Sequence, residues 1–201
     1  MNPTDFYEQV ILAMAQPPPD RHQILAGLHT EAVRAYRSAL GQLTPEAAQR
    51  PLPGGADDRT IAQIVGHIAG WDRFALMAGG DILAGIQHPR MVTDLSGYRE
   101  PEGRLPEFAT IDDFNAYQAK TYGALAWSEL RTIADDLATT LHLLFTHPQL
   151  LSAQRLEQTA RHRKRLQNGV VLSDLTMGWA LWLIMIEHLA VEHISLIEYS
   201  E

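Results

Sequence analysis

The stretch from Ser173 to Tyr199, SDLTMGWALWLIMIEHLAVEHISLIEY, constrains this chain more than any other. It contains no proline, and Gly178 is its only glycine. Ser173 suits an N-cap, and Asp174 adds negative charge near the positive end of the helix dipole. One long helix over 173–199 is predicted. At about 100° per residue, Trp179, Leu183, Ile186, Ala190, His193 and Ile197 share a narrow face. Trp182, Met185, Leu189 and Leu196 widen it. Glu187, His188, Glu192, Ser195 and Glu198 fall mostly on the far side. His193 therefore points with the aliphatic residues, and His188 points away. The apolar run Met177–Ile186 is too short to span a membrane, which takes about 20 mostly apolar residues. A short helix that is apolar around much of its girth belongs at the centre of a core.

The 201 residues suit one domain with a sizeable core. A net charge of −8 argues against nucleic acid and anionic membranes as partners. The absence of cysteine excludes disulfides, thiolate catalysis and cysteine-ligated zinc, and fits a cytoplasmic location. The N-terminus lacks a basic n-region and makes a poor signal peptide.

Taken in order, residues 1–19 form a helical appendage, Asp5 to Gln16, and a link stiffened by Pro17, Pro18 and Pro19. Residues 20–201 hold the main domain. Its first long helix runs from Arg21 to Leu43, and Thr44-Pro45-Glu46 suits a short capped turn. A loop follows through Pro51, Pro53, Gly54 and Gly55. Thr60, with Asp57 and Asp58 just ahead, caps the second long helix, whose buried stripe includes Ile61, Ile64, Ile68 and Trp71. His67 sits at the edge of that stripe. A long Gly- and Pro-rich loop occupies Met91–Thr110, a length often tied to function. The third long helix spans Asp112–Phe145, with Gly123 as the place for a bend. Leu150–Asn168 reads as an extra helix or a hairpin-like excursion, and its basic cluster Arg161–Arg165 as a solvated loop. Strand signals are nearly absent, Val170-Val171-Leu172 excepted. The fold class is all-α: four long amphipathic helices with roomy connections make a four-helix bundle.

The segments DRTIAQIVGHIAGWDRF, LTPEAAQRPLPGG, IDDFNAYQ with WSELRTIADDL, and EHISLIEY occur in the order and spacing of a known family. Together they resemble the DinB-like (DinB/YfiT) four-helix bundle superfamily, on Thr60, His67, Trp71, Asp72, Asn115 and the Glu192-His193 pair. The likeness covers about Arg21 to Tyr199. It implies a divalent metal (Zn, Ni or Fe) between one histidine of the second helix and two of the fourth. It also implies transferase or isomerase chemistry on small electrophiles with a thiol cosubstrate, and a homodimer.

Here His67 matches the second-helix ligand and His193 the later fourth-helix ligand. The earlier one belongs four residues before His193, where this chain has Leu189. His188 is one residue off, and in a regular helix it faces nearly the opposite way. A π-bulge between Leu189 and Glu192 would bring it back, because five-residue spacing suits that geometry. A metal with open positions acidifies a water or thiol. On the other reading, His67 and His193 are buried, hydrogen-bonded core histidines, and His188 pairs with Glu192 at the surface. Trp71, Trp179 and Trp182 would line a small-molecule cavity, although aromatics at helical spacing are commonly plain core. The remaining histidines, His22, His29, His88, His142, His147 and His162, look scattered, and no catalytic residue is singled out.

Three functions follow as expectations. The first is a metal-dependent, thiol-dependent small-molecule transferase or a hydrolase. The second is a non-catalytic stress-related or ligand-binding bundle that has lost its metal. The third is a partner-binding protein that uses the basic excursion.

Overall fold

The computed structural model of the chain describes residues 2–52, 58–90, 95, 98 and 107–199, apart from the side chains of residues 194, 197 and 198. The expected loop through Pro53, Gly54 and Gly55, the Asp57 charge and most of the Met91–Thr110 connection lie outside that set. The fold is mostly helical, with one small two-stranded sheet. Among the described residues no helix is long and apolar enough to cross a membrane.

Helix α1 (Pro3–Met14) starts at Asn2, whose side-chain oxygen accepts the Asp5 N–H at 2.9 Å. Its Phe6 and Val10 are fully buried in the same core as the rest of the chain. Helix α2 (Pro18–Gln42) follows Pro17, and the short α3 (Pro45–Ala48) is capped by Thr44, as its Thr-Pro-Glu sequence suggests. Helix α4 (Ile61–Leu83) opens on a reciprocal capping box. Thr60 Oγ1 accepts the Gln63 N–H at 3.2 Å, and Gln63 Oε1 accepts the Thr60 N–H at 2.9 Å.

The single third helix divides into α5 (Ile111–Gly123) and α6 (Trp127–Thr146). Both pack on α4, and α5 approaches it closely because α4 offers glycine there. A Cβ at Gly66 would lie 2.8 Å from Tyr122 Cβ and 2.9 Å from the Gly123 backbone nitrogen. That approach carries Asn115 to the indole of Trp71, whose N–H donates to Asn115 Oδ1 at 2.9 Å.

The excursion is both of the things expected of it, a short helix and a hairpin. Helix α7 (Ala153–Glu157) leads into β1 (Arg161–Arg165), which pairs antiparallel with β2 (Val171–Thr176) around a turn where Gly169 adopts φ 88°. The basic cluster is therefore a strand, not a loop. Arg161, Arg163 and Arg165 are exposed, while the alternate residues His162 and Lys164 are half-buried.

Strand β2 also corrects the start of the last helix. Ser173 is part of the strand and caps nothing. Helix α8 (Met177–Glu187) begins after Thr176, whose hydroxyl donates to the Leu156 carbonyl at 2.6 Å. The helix then widens into a π turn (His188–Glu192) before α9 (Ile194–Tyr199). Within α8, Trp179, Leu181, Trp182, Leu183 and Ile186 are all fully buried, as a central helix requires. Glu187 and His188, expected on the far side, are buried too.

Asp72 is an unusual core residue. It is 1% exposed, and neither carboxylate oxygen has a hydrogen-bond partner among the described residues. Burial pushes its pKa up to about 8, so it keeps its proton at neutral pH. The buried Tyr36 hydroxyl is pushed up in turn, first by burial and then by the Asp72 charge.

Two outcomes are expected. Gly66→Ala should wedge α5 away from α4 and lower stability by about 1–3 kcal/mol, read as a drop in thermal midpoint. Asp72 has a folded-state pKa above its unfolded value. The unfolded chain thus loses this proton near pH 4 and the folded chain only near pH 8. Stability from this group is intact below about pH 4 and falls by up to ~1.4 kcal/mol per pH unit as pH rises toward 8. Denaturant titrations of Asp72→Asn between pH 5 and pH 8 should lack that slope; an unchanged slope would assign it to other groups.

Candidate metal centre

Helix α4 holds His67 one turn before Trp71, on the face that meets α8 and the π turn. At 3.6 residues per turn, positions 188 and 193 would point about 140° apart. The π turn removes that divergence. The His193 N–H donates to the His188 carbonyl, five residues back, at 3.1 Å. Closing the turn with one more residue brings ring 193 to the side of ring 188. Their centroids are 4.6 Å apart, and both rings lie within 5.3 Å of His67.

The three side chains converge through the same atom. His188 Nε2 lies 3.1 Å from His67 Nε2 and 3.1 Å from His193 Nε2. The three histidines lie close enough together to hold a metal ion. His67 and His188 are buried, at 6% and 5% exposure, and His193 is half-buried. Burial is the main cause holding His188 well below the usual imidazole pKa, with His193, His67 and Arg59 adding to it. It is thus neutral, the form in which imidazole ligates.

The arrangement fits a cation better than it fits hydrogen bonding alone. A ring nitrogen has one in-plane lone pair or one N–H, so His188 Nε2 can pair well with only one of its two neighbours. A cation accepts a lone pair from each ring. Two nitrogens 3.1 Å apart subtend about 95° at a point about 2.1 Å from each, between octahedral and tetrahedral values.

The triad opens into a cavity of ≈ 390 Å³, within the range of small-molecule sites. Trp71 and Asn115 form one wall, and Ile184 and Met185 part of another. Arg59 and Glu192 bring the charges. Trp179 and Trp182 are not among the lining residues. The Trp179 N–H donates to Glu157 Oε1 at 2.7 Å beneath the Arg21 guanidinium, and the Trp182 N–H donates to His29 Nδ1 at 3.1 Å. Both are fully buried and stack with each other, so they belong to a separate aromatic layer of the core.

Of the charged lining residues, Arg59 has no role in the sequence reading of the site, and Glu192 enters it only beside the histidines. Arg59 stands just ahead of the Thr60 cap, where the chain turns toward the fourth helix. Glu192 was paired with His188 alone. Its Oε2 is 3.9 Å from His188 Nε2, while its Oε1 accepts the Gln167 side-chain amide at 2.8 Å. Its pKa is raised, chiefly by its partly enclosed position.

Protein purified without a histidine tag and dialysed against Zn(II) or Co(II) should carry about one ion per chain by elemental analysis. His188→Ala should weaken binding by at least about tenfold, since loss of outer-shell partners alone costs that much. Stoichiometry that survives His67→Ala combined with His193→Ala would put the ion elsewhere. Comparison of the chain with protein families, with curated proteins and with solved structures finds no match.

Proposed function

We propose that this chain is a DinB-like helical bundle whose histidine triad holds a divalent metal and acts on a small molecule, as a thiol-dependent transferase or as a hydrolase. The observation that carries this reading is the clustering of three histidines at the wall of a cavity, with His188 Nε2 3.1 Å from Nε2 of each of the other two. When bound, the divalent cation supplies Lewis acidity, which brings a water or thiol to its nucleophilic form near neutral pH.

The chain's own residues do the rest. His67, His188 and His193 would hold the ion. Glu192 Oε2, on the triad's flank, takes up the proton that the nucleophile gives away. Arg59 orients an anionic group of the substrate, and Trp71 packs against its apolar part. The Trp71 indole is fixed by Asn115, so that wall of the pocket is preformed.

A second reading rests on one observation. His188 Nδ1 is buried and has no hydrogen-bond partner among the described residues, so this ring lacks the outer-shell acceptor that metal-bound imidazoles commonly have. On that reading the cavity binds a small molecule without metal or turnover.

Activity separates the two. Metal-loaded protein should consume an activated ester, or a chloronitrobenzene in the presence of a low-molecular-weight thiol. Removing the metal should abolish turnover, and Glu192→Gln should lower kcat by roughly 10²-fold or more with little change in KM. Protein that takes up no metal and turns over neither substrate class would favour the binding protein.

A further inference from the structure

Two segments, helix α1 and the β1–β2 hairpin, meet the last helix at the two ends of its π turn. At the leading end, the Glu187 side chain is 1% exposed. Its Oε1 accepts the Tyr7 hydroxyl at 3.1 Å and the Gln167 backbone N–H at 2.8 Å, and its Oε2 lies 2.6 Å from Lys164 Nζ. At the trailing end, Glu192 Oε1 accepts the Gln167 side-chain amide at 2.8 Å. Gln167 therefore spans the turn, with its main chain on residue 187 and its side chain on residue 192. The residues between those anchors include His188, and His193 follows directly.

A π turn is an uncommon conformation that persists where surrounding contacts hold it. Regular α-helix is the alternative, and it would carry rings 188 and 193 about 140° apart. The contacts that oppose it come from outside the helix. Lys164 lies on the inward side of β1, and Gln167 lies in the segment joining β1 to β2.

We propose that the β1–β2 hairpin is a positioning element for the metal centre: Gln167, with Lys164, clamps both ends of the π turn and so keeps His188 and His193 aimed at His67. This rests on the metal reading above. It gives the basic strand a role that solvation of its charges does not. Three arginines face outward, and the one lysine between them turns in to meet a buried carboxylate. Neither Lys164 nor Gln167 lines the cavity, so each acts through the histidines and not on substrate.

The test uses the full chain and Gln167→Ala, which removes the tie to Glu192 but keeps the backbone N–H that serves Glu187. Two quantities are read: Co(II) affinity with its visible absorption, and amide exchange at His193 in metal-free protein. Gln167→Ala should weaken Co(II) binding by about tenfold, alter the absorption envelope and speed His193 exchange by about tenfold, with the thermal midpoint close to wild type. Lys164→Met should act in the same direction, and Lys164→Arg should restore wild-type values. Wild-type affinity and exchange in both Gln167→Ala and Lys164→Met would overturn the clamp. If Lys164→Met does not fold, Gln167→Ala decides alone. If the wild-type chain takes up no Co(II), the metal reading fails, and His193 exchange by itself decides whether the hairpin holds the turn.

Discussion

One backbone hydrogen bond, from the His193 N–H to the carbonyl five residues back at His188, carries the candidate centre. It admits an extra residue into a turn of the last helix. Without it, His188 would face away from His193 and His67 would meet a single imidazole. With it, Leu189 and Ala190 stay buried, so the core loses little while a polar cluster forms beside it. The cost of a wide turn is offset locally, by a carboxylate at each end that finds its partners on other segments.

The core also shows two ways of burying histidine. In the aromatic layer His29 accepts the Trp182 indole N–H through Nδ1, and burial holds its pKa to about 3. His22 shares that layer, with its Nε2 3.0 Å from the Leu151 carbonyl. Indole and backbone groups engage those rings, and they act as structural polar contacts. At the triad, His188 Nε2 instead faces a ring nitrogen of His67 and one of His193, each 3.1 Å away. The same residue type is core filler in one place and, in the other, part of a cluster close enough together to hold a metal ion.

Much of this was legible along the chain, and the failures have physical causes. Thr60 with Gln63 is a local cap, and local caps are written in adjacent residues. His67 one turn before Trp71 is a matter of helical spacing, as is the apolar girth of α8. The π turn was legible only as a condition: five-residue spacing brings His188 and His193 to one side in a π turn and not in a regular helix. Strand β1 was hidden because both of its faces carry charge. Alternation in RHRKR leaves no hydropathy contrast, and only the buried Glu187 distinguishes Lys164 from its neighbours. Helical phase alone sets Glu187 on the far side of the last helix, since the partners that bury it lie outside its helix. Trp179 and Trp182 share a face with the triad helix, but a helix face does not reveal which neighbouring helix covers it.

The hydrogen bond from Tyr7 to Glu187 joins residues 180 positions apart. A ribosome releases Tyr7 well before the partner carboxylate, so the whole stretch between them must emerge before that bond can close. Closing so large a loop is entropically slow but grows only logarithmically more costly with length. His188 and His193 emerge later still than Glu187, so their approach to His67 also waits for the last helix to leave the ribosome.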